Sequence, residues 1–234
     1  MRPPVSVCMA TYNGAAHFRE QLDSILGQLL PHDELVIVDD CSSDTTLELL
    51  LTMSDARMKV HVNEVNLGVV RSFEKALGLA SSELIFLSDQ DDIWMPQKVE
   101  RCVASLSSGM TLVISDAYIL ADDVVTLDTF YGFRRSGPGL LRNYFKNSFI
   151  GCCLAFRRDL LNIALPFPTG IPMHDAWLGI MASAVGQVEF LPERLILYRR
   201  HANNVTSMKR SRLGVIAASR FQFLRAILTR LLGR

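Results

Sequence analysis

The sequence of 234 residues has no surplus of either charge, because 24 Lys and Arg balance 24 Asp and Glu. The chain as a whole therefore carries no electrostatic footprint for nucleic acid. No apolar run approaches the ~20 residues that a membrane-crossing helix needs. The N-terminus lacks the basic segment and long apolar stretch of a secretory leader. No Cys-x-x-Cys pair occurs, and the cysteines are odd in number: Cys8, Cys41, Cys102, Cys152 and Cys153. Several stand inside apolar runs, so they read as small core residues of a protein in a reducing, cytoplasmic compartment. Neither Gly-x-Gly-x-x-Gly nor Gly-x-x-x-x-Gly-Lys is present, which argues against a dinucleotide dehydrogenase and a P-loop NTPase. There is no internal repeat and no low-complexity tract.

What is present is a large apolar fraction, 49%, enough for a substantial core. The length suits one domain, taken as residues 1–206, followed by a basic extension, 207–234. From Lys209 to Arg234 there are seven Lys or Arg and no acidic residue, so the rest of the chain is net acidic.

In the first half, apolar β-rich runs at 5–10, 34–38, 58–62 and 84–87 predict strands, the first of them central. Helical spacing predicts helices over 15–28, from Leu47, and after Gly68. Strand and helix alternating over short connections imply an α/β fold with a largely parallel central sheet flanked by helices. Further on, Pro96 is placed to open a helix. Strands are expected at 111–115 and 152–156, with a long irregular loop at 121–139 for which a short hairpin is the alternative. A short helix is expected at 158–163 and a longer one from His174 to about 185. Strands at 188–191 and 195–198 precede a basic amphipathic helix over 213–232.

The chemistry gathers where the apolar run 84–87 ends in Asp89, Asp91 and Asp92. Three close carboxylates repel one another unless a cation sits among them, and Mg²⁺ or Mn²⁺ prefers such oxygen ligands. A solvated acidic turn is the plain alternative. Thr11 and Asp39 also fall at the C-terminal ends of predicted strands, and open α/β sheets bind ligands beyond those ends.

Four segments, Val5-Ser6-Val7-Cys8-Met9-Ala10-Thr11-Tyr12-Asn13, Val38-Asp39-Asp40-Cys41-Ser42-Ser43-Asp44, Asn66-Leu67-Gly68 and Asp89-Gln90-Asp91-Asp92-Ile93-Trp94, occur in this order. Together they resemble the successive signatures of family 2 glycosyltransferases of the GT-A fold, over roughly residues 4–205. Met173-His174-Asp175-Ala176-Trp177 and Tyr198-Arg199-Arg200-His201-Ala202-Asn203-Asn204-Val205 are similar to the bacterial rhamnosyltransferase-like branch.

The resemblance implies an inverting, metal-dependent sugar transfer from a pyrimidine nucleoside diphosphate sugar to a cell-surface glycan or lipid-linked acceptor. dTDP-rhamnose is the first expectation for the donor and a UDP-hexose the second. It implies that Asp39 accepts the pyrimidine N–H, with Thr11, Tyr12 and Asn13 around the base. Asn66 and Gly68 belong to the same nucleotide-sugar pocket. Asp40 ranks below Asp39, with a turn-capping role through Ser42 or Ser43 as its alternative. Arg71 is placed either on the diphosphate or as a solvated arginine. Asp91 is the implied ligand for Mn²⁺ or Mg²⁺, with Asp89 on the ribose or on the metal through water, and the role of Asp92 open. Asp175 is the implied general base, a helix cap being its alternative. His174 either orients the acceptor or is a plain surface residue. His201 is a further metal ligand or a surface histidine, and Arg199 and Arg200 neutralise diphosphate. Residues 203–212 are read as a lid. The C-terminal helix is expected to lie on an anionic membrane; the alternatives are packing on its own domain or on a second subunit of a homodimer. The rival function is a non-catalytic nucleotide-sugar-binding or membrane-scaffold protein on the same fold.

Overall fold

The computed structural model describes residues 2–121, 124–200 and 213–233, with side chains from 218 onward in the last stretch. The first third alternates strictly: β1 (Val5–Thr11), α1 (Phe18–Leu26), β2 (Glu34–Asp39), α2 (Thr46–Thr52), β3 (Met58–Val62), α3 (Val69–Leu79) and β4 (Leu84–Ser88). These strands pair in parallel in the order β3-β2-β1-β4. β2 and β4 are buried along their whole length and β1 nearly so. That explains their near-continuous apolar sequences, since helices cover both faces of such a sheet. Phe18, Leu22 and Ile25 of α1, and Phe73, Ala76 and Leu77 of α3, are the covering residues.

The second part contains β5 (Ile93–Trp94), α4 (Lys98–Ser107), β6 (Leu112–Ala121), β7 (Val124–Leu127), α5 (Phe130–Arg134) and α6 (Leu140–Phe145). β8 (Leu154–Arg157), α7 (Leu161–Ala164), α8 (His174–Val185), β9 (Val188–Arg200) and α9 (Leu213–Leu232) complete it. The sheet continues β4-β8-β6-β9-β5, with β7 beside β6. β8 runs antiparallel to β4 and β6, and β5 runs antiparallel to β9. The sheet is therefore parallel where it carries the first four strands and mixed beyond them.

Several boundaries differ from the sequence reading. The strand expected to stop at 115 runs to Ala121, because Asp116 finds a partner inside the fold: its Oδ1 accepts the Tyr131 amide at 2.9 Å. The loop or short hairpin expected over 121–139 does carry a hairpin strand, β7 antiparallel to β6, and adds the unexpected α5. α4 starts at Lys98, two residues past Pro96, after Gln97 in a left-handed conformation. Cys152 and Cys153 sit in a 3₁₀ turn just before β8 rather than in it. The two short strands at 188–191 and 195–198 are one strand, β9, whose register against β6 shifts next to Asp116.

The C-terminal helix packs on its own domain through one face. Phe223 stacks on Tyr144 at 6.1 Å and meets Trp177 at 6.3 Å. Arg230 donates to the carbonyls of Ile163 at 2.8 Å and Leu165 at 2.7 Å, tying α9 to α7. No described helix is long and apolar enough to cross a membrane.

Candidate active site

A cleft of about 940 Å³ opens beyond the C-terminal ends of β1, β2 and β4. Parallel pairing fixes this: Thr11 lies opposite Asp39, and Met9 opposite Ser88, so the segments after these strands emerge side by side. Thr11, Tyr12 and Asn13 form one wall. Asn13 has φ +49° and its Oδ1 accepts the Ser43 amide at 2.8 Å, which locks the turn after β1 to the turn after β2.

Asp40, Asn66 and Gly68 form the adjoining wall. Asp40 accepts from Asn63 Nδ2, the Leu67 amide and the Gly68 amide, each at 2.8 Å. Burial opposes its charge, yet these hydrogen bonds prevail and hold its pKa below the ordinary carboxylate range. Gly68 enters α3 at φ +83°, a conformation that favours glycine.

Asp39 is fully buried and is not in the cleft wall. Its carboxylate accepts the Ser42 amide at 3.0 Å and the Ser42 hydroxyl at 2.5 Å. The Ser42 contact expected of Asp40 thus belongs to Asp39, and the cleft-facing carboxylate is Asp40. Successive side chains of a strand point to opposite faces, and only the fold decides which of two neighbours faces the ligand.

Asp89, Gln90 and Asp91 form the floor. Gln90 reaches back to β1: its Oε1 accepts the Thr11 hydroxyl and the Tyr12 amide, both at 2.8 Å. Asp92 is buried; its Oδ1 accepts the Arg199 amide at 2.9 Å, its Oδ2 has no hydrogen-bond partner among the described residues, and the Cys152 thiol lies near the carboxyl. Burial, with Asp91 and Asp89 nearby, raises the pKa of Asp92 well above the ordinary range. Burial, then Asp91, then Asp175, pushes Asp89 up to about 7.

Crowded carboxylates that resist ionising together fit a divalent cation, which replaces protons as the neutralising charge. Asp89 and Asp91 are the members open to the cleft. Donor atoms of Asp89, Asp92 and Cys152 also come within 4.8 Å of one another, so Asp89 is common to both groupings.

The far wall is Gly151, His174 and Asp175. α8 begins at His174, so Asp175 lies inside its first turn rather than at the cap; Oδ1 accepts the adjacent Ala176 amide at 2.5 Å. Burial pushes the Asp175 pKa up to about 6 against the hydrogen bonds that oppose it. His174 is no surface residue. It is buried, stacks on Phe73 at 4.0 Å, has no hydrogen-bond partner on either ring nitrogen, and is pushed down to about 3 by burial. It is a neutral imidazole at physiological pH.

Two arginines do not line the cleft. Arg71 pairs with Glu74 and donates to the Phe167 carbonyl at 3.1 Å. Arg199 is buried; its Nε donates to the Asp91 carbonyl at 3.0 Å and its guanidinium pairs with Glu20 at 2.7 Å. It braces the acidic segment from behind, as its amide does through Asp92. His201 and the segment 203–212 lie outside the described residues. The residues missed by sequence reading are Gln90, hidden as the middle residue of Asp-Gln-Asp, and Gly151, which has no sequence signal of its own.

The comparisons with known proteins agree with this geometry. The model of the family "Glycosyl transferase family 2" matches residues 6–163. The Escherichia coli UDP-Glc:alpha-D-GlcNAc-diphosphoundecaprenol beta-1,3-glucosyltransferase WfgD is 30% identical, over 76% of this chain and 69% of its own length. A Bacillus subtilis glycosyltransferase named for teichuronic acid biosynthesis, TuaG, is 29% identical over 89% of this chain and 83% of its own. Among solved structures, S. aureus TarS 1-349 in complex with UDP-GlcNAc superposes with a TM-score of 0.77 at 20% identity, covering 96% of this chain and 66% of that one. That likeness shows the GT-A fold. With the strand-end cleft, the carboxylate floor and a family match over more than half its length, the chain belongs to glycosyl transferase family 2.

Proposed function

We propose that this glycosyltransferase moves a sugar, with inversion, from a pyrimidine nucleoside diphosphate to a lipid-linked or cell-surface glycan acceptor, with Asp175 as the general base. The observation that carries the reading is Asp175 itself. Its carboxyl stands on the same cleft as Asp89 and Asp91, with its pKa raised to about 6. A base that works near neutral pH is best tuned close to that pH. The Ala176 amide on Oδ1 and the Gly151 amide on the carboxyl fix the group in the cleft wall, ready to take the proton of an acceptor hydroxyl.

The nucleotide lies across the ends of β1 and β2. Asp40 is the better acceptor for the pyrimidine N–H, in place of Asp39. It is the carboxylate that lines the cleft, and hydrogen bonds from Asn63, Leu67, Gly68 and Ser72 keep it ionised and oriented as an acceptor. Thr11, Tyr12 and Asn13 line the base and ribose side. Asp89 and Asp91 would hold Mn²⁺ or Mg²⁺, which when bound would neutralise the charge of the departing diphosphate. Arg199 positions these carboxylates through the backbone and does not reach the donor. Arg71 has no part in the site, and His201 is kept as an expected additional ligand.

WfgD is named for UDP-Glc, which supports a UDP-hexose over the dTDP-rhamnose first expected from sequence. Its name also contains a lipid diphosphate acceptor, which supports an acceptor of that class here. Five thiols with no disulfide support a reducing, cytoplasmic setting.

The test is a transfer assay with Mn²⁺, UDP-glucose or dTDP-rhamnose, and a GlcNAc-diphospho-lipid acceptor. Metal-dependent release of the nucleoside diphosphate, with inversion at the anomeric carbon, is expected. A chain that binds nucleotide yet never cleaves or transfers from any donor would be the non-catalytic binding protein instead.

A further inference from the structure

Helix α9 is apolar on two opposite sides. Phe223 and Ile227, each 5% exposed, face the catalytic domain. Phe221, Leu224, Leu228 and Leu232 are 69%, 40%, 46% and 78% exposed. Spacings of three and four residues align them as one stripe along the helix. The stripe continues onto α6. Arg220 donates to the Phe145 carbonyl at 2.8 Å and lies over its ring at 5.6 Å, and Phe145 and Leu141 are themselves exposed. A helix apolar all round is normally covered all round, and a contiguous exposed apolar face marks a docking surface.

The charges around this face indicate what it docks on. Residues 129–146, which supply α5 and α6, contain four Lys or Arg and no acidic residue. Residues 213–232, which form α9, contain three, Arg220, Arg225 and Arg230, and again no acidic residue. Arg134, Arg135, Arg142, Lys146 and Arg225 are exposed. In a chain of zero net charge, the described residues of α5, α6 and α9 thus carry cations and no acidic side chain. A second copy seated face to face would set these cations against themselves. An anionic bilayer satisfies both halves of the surface: acyl chains take the phenyl and leucyl groups, and headgroups take the cations.

We propose that the α6–α9 face docks on an anionic membrane surface, with α9 lying in the interface plane while its inner side grips the domain. The inference deepens the proposed lipid-linked acceptor, because such an acceptor resides in that surface. Phe223, which anchors α9, touches Trp177, two residues beyond Asp175, so the docked helix is coupled to the wall that holds the base.

Because the inner side of α9 is part of the fold, deleting the helix is no clean test. The variant Phe221→Gln/Leu228→Gln/Leu232→Gln changes only the outer stripe. In vesicle co-sedimentation, the full chain should bind phosphatidylglycerol-containing vesicles, bind pure phosphatidylcholine weakly, and release at high salt. The triple variant should bind at least tenfold more weakly, with unchanged melting temperature and unchanged UDP affinity. Lys146→Gln and Arg225→Gln should each weaken binding about fivefold, the ~1 kcal/mol expected per cation near an anionic surface. Vesicle binding by the triple variant equal to wild type overturns the proposal. So does a wild-type dimer in light scattering that the triple variant converts to monomer, since the face is then a contact between copies. Failure of UDP binding in the wild type would sink the catalytic reading while leaving vesicle binding intact, so the two can fail separately.

Discussion

Gln90 Oε1 stands 2.8 Å from Thr11 Oγ1, tying the residue between the two floor carboxylates to the end of β1. One side chain thus couples the candidate metal site to the wall proposed for the nucleotide. Gly14 makes room for this link, because a Cβ there would come within 2.5 Å of Gln90 Oε1. Gly14→Ala should push the carboxamide off Thr11 and Tyr12. Donor affinity should fall by about tenfold, the ~1.4 kcal/mol of one or two lost hydrogen bonds. Calorimetry with UDP and Mn²⁺ reads this directly, and wild-type affinity would show that the clamp does not matter.

Asp175→Asn keeps the shape and an oxygen for the Ala176 amide but cannot take a proton. Transfer should drop by a factor on the order of 10²–10⁴ at unchanged donor affinity. In wild type the rate should rise with pH through about 6, as the base loses its proton, and then level off. That limb should be missing from the residual activity of the variant. A variant that retains near-wild-type turnover removes Asp175 from the mechanism.

Asp40 and Asp39 make opposite predictions. Asp40→Asn should lower UDP affinity by about 10- to 100-fold, because an amide nitrogen replaces one acceptor among several donors. Asp39→Asn should chiefly loosen the Ser42 turn and lower the melting temperature. The reverse pattern would restore Asp39 as the pyrimidine partner.

Metal and pH act together on stability. A buried carboxyl whose folded pKa is raised stabilises the fold fully below its unfolded value, and that contribution is lost as pH rises through the folded value. Asp175 and Asp89, raised to about 6 and about 7, therefore predict a metal-free melting temperature that falls as pH rises from ~4 to about 7 and levels off above that. His174, pushed down to about 3, works the other way and offsets part of the fall below ~6.5, because the unfolded ring takes a proton that the buried ring does not. Mn²⁺ should cancel the fall. Asp89→Asn should flatten it, and Asp91→Asn should weaken metal-dependent UDP binding at little cost in stability. A melting temperature unchanged by Mn²⁺ at pH ~8 would argue against the carboxylate floor as a cation site.

The sequence by itself determined the alternating first half, because buried parallel strands read as unbroken apolar runs such as 34–38 and 84–87. It also determined that Asp89 and Asp91 follow a strand end, and that His174 and Asp175 open a helix. Only the tertiary structure decided which of Asp39 and Asp40 faces the cleft, that Gln90 crosses to β1, and that Arg71 is turned to Phe167. Likewise it alone set Arg199 behind Asp91 and Asp92, 108 and 107 positions away in sequence, and gave α9 one packed face and one bare one. Periodicity reports how a segment alternates between inside and outside. It carries no information about which distant segment lies on either side, and that neighbour fixes where a polar side chain spends its hydrogen bonds.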